Sequence, residues 1–281
     1  MVIDFHVHLG WVKSFAWNLK GRIYVELEDL LSYMDGADVD LAVVLSIPSG
    51  SDPYSNIISN EELWRIASKA RDRLIPFCVV DPRDERAINK LDDLIELGFK
   101  GFGEFKIDLK IEDDRVIRIL RRVNDYGLPL LFHMEDNKYF YDIYALDKAL
   151  AEFSEINFIA HGPGWWKHIS GELTDETYPK GKIRREGMVQ RVLRKHENIF
   201  ADISATSGLN ALKRDLDYAR SFLEEFSDKI LYGTDFPCLC HDGSQFGPNM
   251  KHLVLLEALG LSDSVLDKIT HLNAEKVLFG G

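Results

Sequence analysis

The sequence predicts an α/β fold, and within that class a (β/α)8 barrel of the TIM type formed by residues 1–281 as a single domain. Short runs rich in β-branched and aromatic residues recur along the chain, and segments with helical periodicity separate them. There are eight such runs, and their starts lie mostly about 30 to 40 residues apart, the length of a β-helix-β unit. Runs without polar alternation indicate strands buried on both faces of a parallel sheet. The predicted strands are residues 2–8, 41–47, 74–80, 101–107, 129–134, 157–161, 199–204 and 230–235.

Helical segments separate the predicted strands. Apolar residues recur at helical spacing over residues 88–95, and Gly98 follows them as a natural C-terminal cap. The same spacing recurs over residues 116–126, where Gly127 ends the pattern. Pro129 then disfavours helix in the residue before it and leads into the next strand. This alternation of strands and helices predicts a parallel sheet.

The number of units distinguishes the two common parallel α/β folds. Eight strands with eight helices close into a barrel, whereas about six strands in an open sheet give a doubly wound fold. The count favours the barrel, and no Gly-x-Gly-x-x-Gly motif follows the first predicted strand, which disfavours a dinucleotide-binding domain. No linker rich in Pro, Gly or Ser divides the chain, and barrels of about 250 residues fold as one domain.

Composition predicts an ordinary soluble globular protein. Hydrophobic residues make up 46% and charged residues 28% of the chain, close to globular averages. The net charge of −12 repels polyanions, so we expect no nucleic-acid partner. We expect no membrane span and no signal peptide either. The cysteines Cys78, Cys238 and Cys240 form no disulfide framework, which fits the cytoplasm, and a homodimer is the commonest assembly to expect.

Two histidines end the first predicted strand. Residues two apart in a strand point to the same face, so His6 and His8 should project from one side while Phe5 and Val7 lie on the other. Two neutral imidazoles placed in this way can chelate one cation. A pair of core histidines without a metal is the alternative, and the rest of the chain must distinguish the two.

Polar residues also end other predicted strands. In a barrel, catalytic groups come from the C-terminal ends of the strands and converge on one face. Each residue alone has a simpler explanation, as when Asp235 caps the next helix, but recurrence at one structural position indicates a joint metal site. The residues at this position are His6, His8, Glu104, Lys106, His133, His161, Asp202, Ser204 and Asp235.

Four of these strand ends resemble the signature of the amidohydrolase superfamily. The matching segments are Asp4-Phe5-His6-Val7-His8, Phe132-His133, Ala160-His161-Gly162 and Tyr232-Gly233-Thr234-Asp235-Phe236-Pro237. The likeness extends over nearly the whole chain, and residues 273–280 resemble the C-terminal helix of the amidohydrolase-2 branch. That branch includes metal-dependent hydrolases, lactonases and non-oxidative decarboxylases similar to aminocarboxymuconate-semialdehyde decarboxylase.

The resemblance implies a metal centre. His6, His8, His133 and Asp235 would ligate a divalent metal, commonly zinc, and His161 would be a ligand of a second metal or a proton shuttle. Imidazole and carboxylate ligands also suit manganese or iron, whereas soft ions are disfavoured because no thiolate stands among these residues. We therefore expect one or two divalent ions, with zinc as the first choice.

The fourth predicted strand bears on the number of metals. Two-metal members of the superfamily use a bridging glutamate or a carboxylated lysine on this strand, and Glu104 and Lys106 share one face here. Gly103-Glu104 resembles the TatD-like hydrolases, which favours Glu104 as a ligand. The alternative is a Glu104 that only hydrogen-bonds a ligand histidine. The residues after Glu104 depart from the TatD pattern, which disfavours a TatD-like phosphodiesterase.

These residues predict a hydrolase that uses a metal-activated water. Asp235 would act as general base, and His161 would stabilise the oxyanion or share the proton transfer. An amide, a lactone or another ester of a small, carboxylated molecule suits this chemistry. A decarboxylase of the same branch, in which Asp235 or His161 protonates the carbon that loses carbon dioxide, is the alternative. A non-catalytic binding barrel is a third possibility, and it would be expected to lack ligands.

Two long connections are candidate walls of the substrate pocket. Residues 10–22 and residues 162–183 both carry aromatic side chains that could enclose an apolar substrate, although they could equally anchor the loops. Basic residues cluster from Lys167 to Arg185 and could meet an anionic substrate, with a solvated loop as the alternative. We expect substrate contacts from Lys106, Trp165 and Arg184.

Overall fold

Within the residues that the structure describes, eight parallel strands alternate with helices. The structure is a computed structural model, and it describes residues 1–13, 22–48, 58–238 and 250–280. Each predicted run contains one strand. The eight strands, named first to eighth in chain order, are Ile3–His8, Leu41–Leu45, Leu74–Pro76, Phe102–Phe105, Leu130–His133, Phe158–His161, Ile199–Asp202 and Ile230–Leu231.

The strands pair in sequence order. The first three form one parallel sheet and the fourth to eighth form another. A parallel bridge joins Cys78, just after the third strand, to Phe102 of the fourth, and a second joins Val7 to Phe236, just after the eighth. Sequential parallel pairing that returns to the first strand is the topology of a (β/α)8 barrel, so the predicted fold class is confirmed.

Helices cover the outside of the strands. The two helices predicted from apolar spacing are present, and Gly98 and Gly127 follow them with φ of 117° and 60°. No helix of the described segments is long and apolar enough to cross a membrane. The α-helices are Leu27–Gly36, Asn60–Ala67, Ala87–Leu97, Asp114–Asp125, Ile143–Glu152, Pro163–Trp166, Met188–Lys195, Ala205–Lys213, Leu216–Glu225, Lys251–Ala258, Asp263–Asp267 and Asn273–Phe279, with 3-10 turns at Lys167–Ile169 and Ser227–Lys229 and a π-helical turn at Lys268–Leu272.

A separate apolar cluster fills the barrel interior, inside the larger core that lies between strands and helices. Most strands contribute a residue to it, and the C-terminal helix adds Ala274 and Val277, which close the end of the barrel where the strands begin. This layer leaves the opposite end free for polar residues. The interior cluster consists of Ile3, Phe5, Val43, Leu45, Ile75, Phe77, Leu131, Ile159, Phe200, Leu231, Ala274 and Val277.

The first strand is irregular, and this corrects the predicted alternation. Its pairing register with the second strand shifts between Asp4 and Val7, so the strict period of two is lost there. Phe5 therefore joins Ile3 in the barrel interior, whereas Val7 packs in the outer core. The expectation that Phe5 and Val7 share a face was wrong, although the imidazoles of His6 and His8 still converge.

The connection after the first strand is partly a β-hairpin rather than a loop. Gly10–Lys13 and Arg22–Val25 pair antiparallel. The rings of Trp11 and Tyr24 pack edge to face across the hairpin, and Trp11 lines a cavity of about 500 Å³ beside the ends of the second and third strands. Phe15 and Trp17, the other aromatic residues of this predicted wall, lie outside the described residues.

Candidate metal centre

Four side-chain atoms converge at the C-terminal end of the barrel. Nε2 of His6 lies 3.1 Å from Nε2 of His8. Oε2 of Glu104 lies 3.6 Å and 3.3 Å from these two nitrogens, and Oδ1 of Asp235 lies 3.4 Å and 3.1 Å from them. The first and fourth strands and the segment after the eighth strand thus bring two nitrogens and two oxygens together in one small volume.

Hydrogen bonds on the far side of each ring determine which nitrogen faces this volume. Nδ1 of His8 lies 3.0 Å from the backbone carbonyl oxygen of Leu45, which can only accept, so Nδ1 carries a proton and, in the neutral ring, Nε2 is the nitrogen that can ligate an ion. Nδ1 of His6 donates in the same way to Oδ2 of Asp202 at 2.7 Å. Two imidazole nitrogens and two carboxylate oxygens therefore face one another.

This donor set fits a divalent metal ion. Lone pairs directed at one another at such distances repel unless a cation or a proton lies between them. The three ligand atoms of His6, His8 and Asp235 lie 3.1–3.4 Å from one another, which suits an ion about 2 Å from each, the Zn–N and Zn–O bond length in proteins. His6, His8 and Asp235 form one of the groups whose ligand atoms are close enough to share an ion.

A second donor group adjoins the first through Glu104. Its other oxygen, Oε1, accepts a hydrogen bond from Nδ1 of His133 at 2.8 Å. Nε2 of His133 is buried and has no hydrogen-bond partner among the described residues. Glu104, His133 and His161 also have ligand atoms close enough to hold an ion. Because Glu104 belongs to both groups, it is placed to bridge two ions or to orient His133 beside one.

The electrostatics of the centre favour positive charge. Burial lowers the pKa of His6, but the negative charge of Asp235 leads the opposing interactions, and the net pKa lies well above its ordinary value. The pKa of His8 is also raised. Burial raises the pKa of Glu104, but the hydrogen bond from His133 leads the interactions that hold it well below its ordinary value. The carboxylates thus favour positive charge at the position of the two imidazoles.

Asp202 and Ser204 support the histidines from behind. Both are fully buried. Oδ2 of Asp202 accepts from His6, and it lies 3.2 Å from Nδ1 of His161. The hydroxyl of Ser204 lies 2.8 Å from the same nitrogen of His161. The sequence placed both residues at the end of the seventh strand but assigned them no role, because hydrogen bonds between side chains on different strands leave no local pattern.

Asp4 of the first strand accepts hydrogen bonds from the segment that follows the eighth strand. Its carboxyl accepts the backbone N–H and the hydroxyl of Thr234 at 3.0 and 2.6 Å, the backbone N–H of His6 at 3.1 Å and the hydroxyl of Tyr33 at 2.9 Å. Burial raises the pKa of Asp4 to about 6. Asp4 therefore fixes the backbone at His6 and at Thr234, the residue before Asp235.

The three predicted substrate-binding residues occupy different environments. The ammonium of Lys106 lies 5.0 Å from the centre of the Tyr139 ring, and that ring contacts His133 at 5.8 Å between centroids, so Lys106 lies beside the donor groups. Trp165 is 0% exposed and presents no accessible surface. Arg184 is exposed in the segment before the helix Met188–Lys195. The sequence missed Tyr139, which lies in a turn after the fifth strand.

A barrel with a histidine and carboxylate centre at the C-terminal ends of its strands has the architecture of a metal-dependent hydrolase. The family model described as Amidohydrolase matches residues 3–280. The chain therefore belongs to the amidohydrolase family, in its amidohydrolase-2 branch. It is an enzyme of the amidohydrolase kind, and that family is metal-dependent.

Solved structures with the same fold include both hydrolases and decarboxylases. A probable 2-pyrone-4,6-dicarboxylic acid hydrolase from Acinetobacter baumannii, solved with citric acid bound, is 16% identical with a TM-score of 0.63, covering 100% of this chain and 99% of that chain. The 5-carboxyvanillate decarboxylase from Sphingomonas paucimobilis is 12% identical with a TM-score of 0.57, covering 91% and 84%. An uncharacterised TIM-barrel protein from Bordetella bronchiseptica is 16% identical with a TM-score of 0.66, covering 99% and 98%. No curated protein matches the chain.

Proposed function

We propose that this enzyme hydrolyses a lactone, an amide or another ester of a small carboxylated molecule with the help of one or two divalent metal ions, zinc first. The observation that carries the proposal is the convergence of His6, His8, Glu104 and Asp235, in which Oε2 of Glu104 and Oδ1 of Asp235 each lie 3.1–3.6 Å from both histidine nitrogens. His133 and His161, with Glu104 as a bridge, would hold a second ion.

Such an ion, when bound, supplies Lewis acidity and lowers the pKa of coordinated water toward ~7. Asp235 is the residue best suited to take a proton from that water. Its side chain is 26% exposed, the most accessible of the donor set, and only Oδ1 is directed at the two histidines. Burial raises its pKa, but the charge of His6 leads the interactions that lower it, so Asp235 is an ionised base at neutral pH.

Lys106 is placed to meet a negatively charged substrate. It lies over the ring of Tyr139 at 5.0 Å, and Lys138 lies over the same ring at 4.7 Å. Lys138 also pairs with Glu135 at 3.4 Å, so Lys106 is the cation that we propose for a substrate carboxylate in this chain of net charge −12. Two of the similar structures are named for acting on carboxylated compounds, which agrees with this substrate class.

Decarboxylation is the second candidate, because a structure of the same fold is named as a 5-carboxyvanillate decarboxylase. In that reaction Asp235 or His161 would have to donate a proton to carbon. The pKa of Asp235 is lowered, and burial lowers that of His161, so neither residue is mostly protonated at neutral pH, which favours the hydrolase.

A substrate panel separates the two reactions. Purified, zinc-loaded protein is given carboxylated lactones and esters in one series and carboxylated phenols in another, while released acid and released bicarbonate are measured. Hydrolysis predicts acid without bicarbonate, and Asp235→Asn should lower kcat at least about 100-fold without loss of folding. Bicarbonate from the phenols with no lactone turnover would contradict the hydrolase and support the decarboxylase.

A further inference from the structure

We propose that Ser204 is a positioning residue that, with Asp202, holds His161 in the tautomer whose proton is on Nδ1. Nε2 of His161 is then a bare lone pair that faces the metal centre. The proposal rests on the proposed function, because it assigns His161 its part in that site.

The donors and acceptors around Ser204 admit one arrangement. Its hydroxyl has a single hydrogen, and that hydrogen goes to the ionised Asp202, whose Oδ2 lies 2.6 Å away. Toward the imidazoles Ser204 can therefore only accept. Nδ1 of His161 at 2.8 Å must be the donor. Nδ1 of His6 lies farther from the hydroxyl, at 3.2 Å, and donates instead to Asp202 at 2.7 Å.

Hydrogen bonds of the neighbouring backbone fix the turn that places the Ser204 hydroxyl between Asp202 and His161. The N–H of Ser204 donates to Oδ1 of Asp202 at 2.8 Å, and the N–H of Ala205 donates to the carbonyl of Thr234 at 3.2 Å. Nε2 of His252 lies 2.9 Å from the carbonyl oxygen of Ala205. Ala205 has a φ of 58°, a left-handed conformation that is unfavourable for a non-glycine residue. A turn kept in a strained form by several bonds is typical of a functional position.

The packing around this turn excludes a side chain at position 233. A Cβ on Gly233 would lie 2.5 Å from Oδ1 of Asp202 and 3.2 Å from Cβ of Ser204. The segment after the eighth strand therefore approaches the Asp202–Ser204 pair too closely for a side chain at position 233.

The assignment changes what His161 can do. With Nδ1 protonated and bound to Ser204, Nε2 can ligate a metal or accept a proton, but it cannot donate a hydrogen bond to an oxyanion. The oxyanion-stabilising role considered from the sequence is therefore disfavoured. The same Asp202–Ser204 pair supports His6 of the first donor group and His161 of the second, so its loss should weaken both.

The first test is the tautomer itself. Nitrogen-15 NMR of the full-length, zinc-loaded protein locates the ring proton of each histidine through its couplings to the ring carbons. We expect the proton of His161 on Nδ1 in the wild type and in Ser204→Thr, which keeps the hydroxyl. A proton on Nε2 of His161 in the wild type would overturn the proposal, even if every variant failed to fold.

The second test measures zinc affinity by competition with a chelator. Ser204→Ala should weaken zinc binding about tenfold or more, as expected for loss of a residue that orients a metal ligand. Ser207→Ala is the matched control. Ser207 is buried like Ser204 and lies in the helix that follows it, and its hydroxyl has no hydrogen-bond partner among the described residues. We expect no weakening there.

The outcomes separate this proposal from the proposed function. Equal zinc affinity in Ser204→Ala and wild type, with zinc bound in both, would contradict the role of Ser204 alone. A wild type that binds no zinc and no other divalent ion would contradict both proposals. Weakening in Ser204→Ala with Ser207→Ala unchanged supports the positioning role.

Discussion

Three histidines of the candidate metal centre are held by hydrogen bonds through Nδ1. His8 donates to a backbone carbonyl, His6 to Asp202 and His133 to Glu104. Such bonds fix the ring orientation and raise the basicity of the other nitrogen. The metal-facing nitrogens are therefore oriented before any ion binds.

Zinc binding should release protons at a pH where free histidines are already neutral. The pKa of His6 and that of His8 are raised from 6.5, so the metal-free centre holds protons that an ion must displace. Zinc affinity should therefore fall as the pH falls, about tenfold per pH unit for each displaced proton. Calorimetry at about pH 7.5 in two buffers of different ionisation enthalpy counts the protons. Zinc binding with no proton release would contradict the raised pKa values.

Asp4 should contribute strongly to stability. Asp4→Ala leaves several buried donors without an acceptor, and we expect it to lower the free energy of unfolding by about 2–4 kcal/mol. Asp40 is a suitable control, because it also accepts a backbone N–H near the first strand, that of Val2 at 2.7 Å, but is exposed. Asp40→Ala should cost about 0.5 kcal/mol. Equal losses in urea denaturation would show that burial of the Asp4 network is unimportant.

The sequence predicted residues of the site wherever a polar side chain ends a strand. His6, His8, Glu104, His133, His161 and Asp235 were found in this way, and the structure brings them together. The sequence could not predict the hydrogen-bond partners of these residues. Ser204 and His161 are 43 positions apart in the chain, and Asp202 and His6 are 196 positions apart. Phe5 was misplaced because an irregular register has no signature in apolar spacing.

Among the helices, Ala205–Lys213 makes a close backbone contact near the site residues Asp202 and Ser204. This helix begins directly after Ser204, and its Gly208 packs against the backbone of Ile203, the residue that follows the seventh strand. A Cβ on Gly208 would lie 1.9 Å from the carbonyl oxygen of Ile203. The backbone of the helix therefore approaches this connection too closely for any side chain at that position.

Gly208→Ala should destabilise the protein despite the better helix propensity of alanine. The steric conflict with Ile203 should cost about 1–3 kcal/mol, against a propensity gain of about 1 kcal/mol. Gly36 is the control, because it lies at the end of the helix Leu27–Gly36 and a Cβ added there would have nothing within 4 Å. Gly36→Ala should be neutral or stabilising. Thermal denaturation measures both. A melting temperature that falls more in Gly36→Ala than in Gly208→Ala would contradict the close contact between Gly208 and Ile203.

Element types were predictable, but element ends were less so. The eighth run was expected over residues 230–235, yet the strand covers only Ile230–Leu231. Tyr232 donates its backbone N–H to Ile269 near the C-terminal helix, and Asp235 has a φ of 62°, so the chain leaves extended structure. The hairpin after the first strand was missed because four-residue strands outside the barrel carry too little periodicity.

The whole molecule is a barrel closed at one end by its own C-terminal helix. The count of eight units predicted the barrel because each unit has its own apolar pattern. The role of the last helix as a plug could not be read from that pattern, since its buried residues Ala274 and Val277 resemble any amphipathic stripe.

Shortening a buried side chain of the C-terminal helix should lower the stability of the whole barrel. Val277→Ala removes buried methyl groups and leaves a small cavity at the base, which should cost about 2 kcal/mol. Lys276→Ala, in the same helix but exposed, should change stability by about 0.5 kcal/mol at most. Chemical denaturation measures both. A negligible loss in Val277→Ala would mean that the helix does not seal the interior.

Anomalous scattering from crystals of the zinc-loaded protein tests the central claim most directly. We predict a zinc peak about 2 Å from Nε2 of His6, Nε2 of His8 and Oδ1 of Asp235, with Glu104 in contact. The peak should vanish in the double variant His6→Ala, His8→Ala while the fold persists. A wild-type crystal with no metal between these residues, or with an undiminished peak in the double variant, would contradict the account.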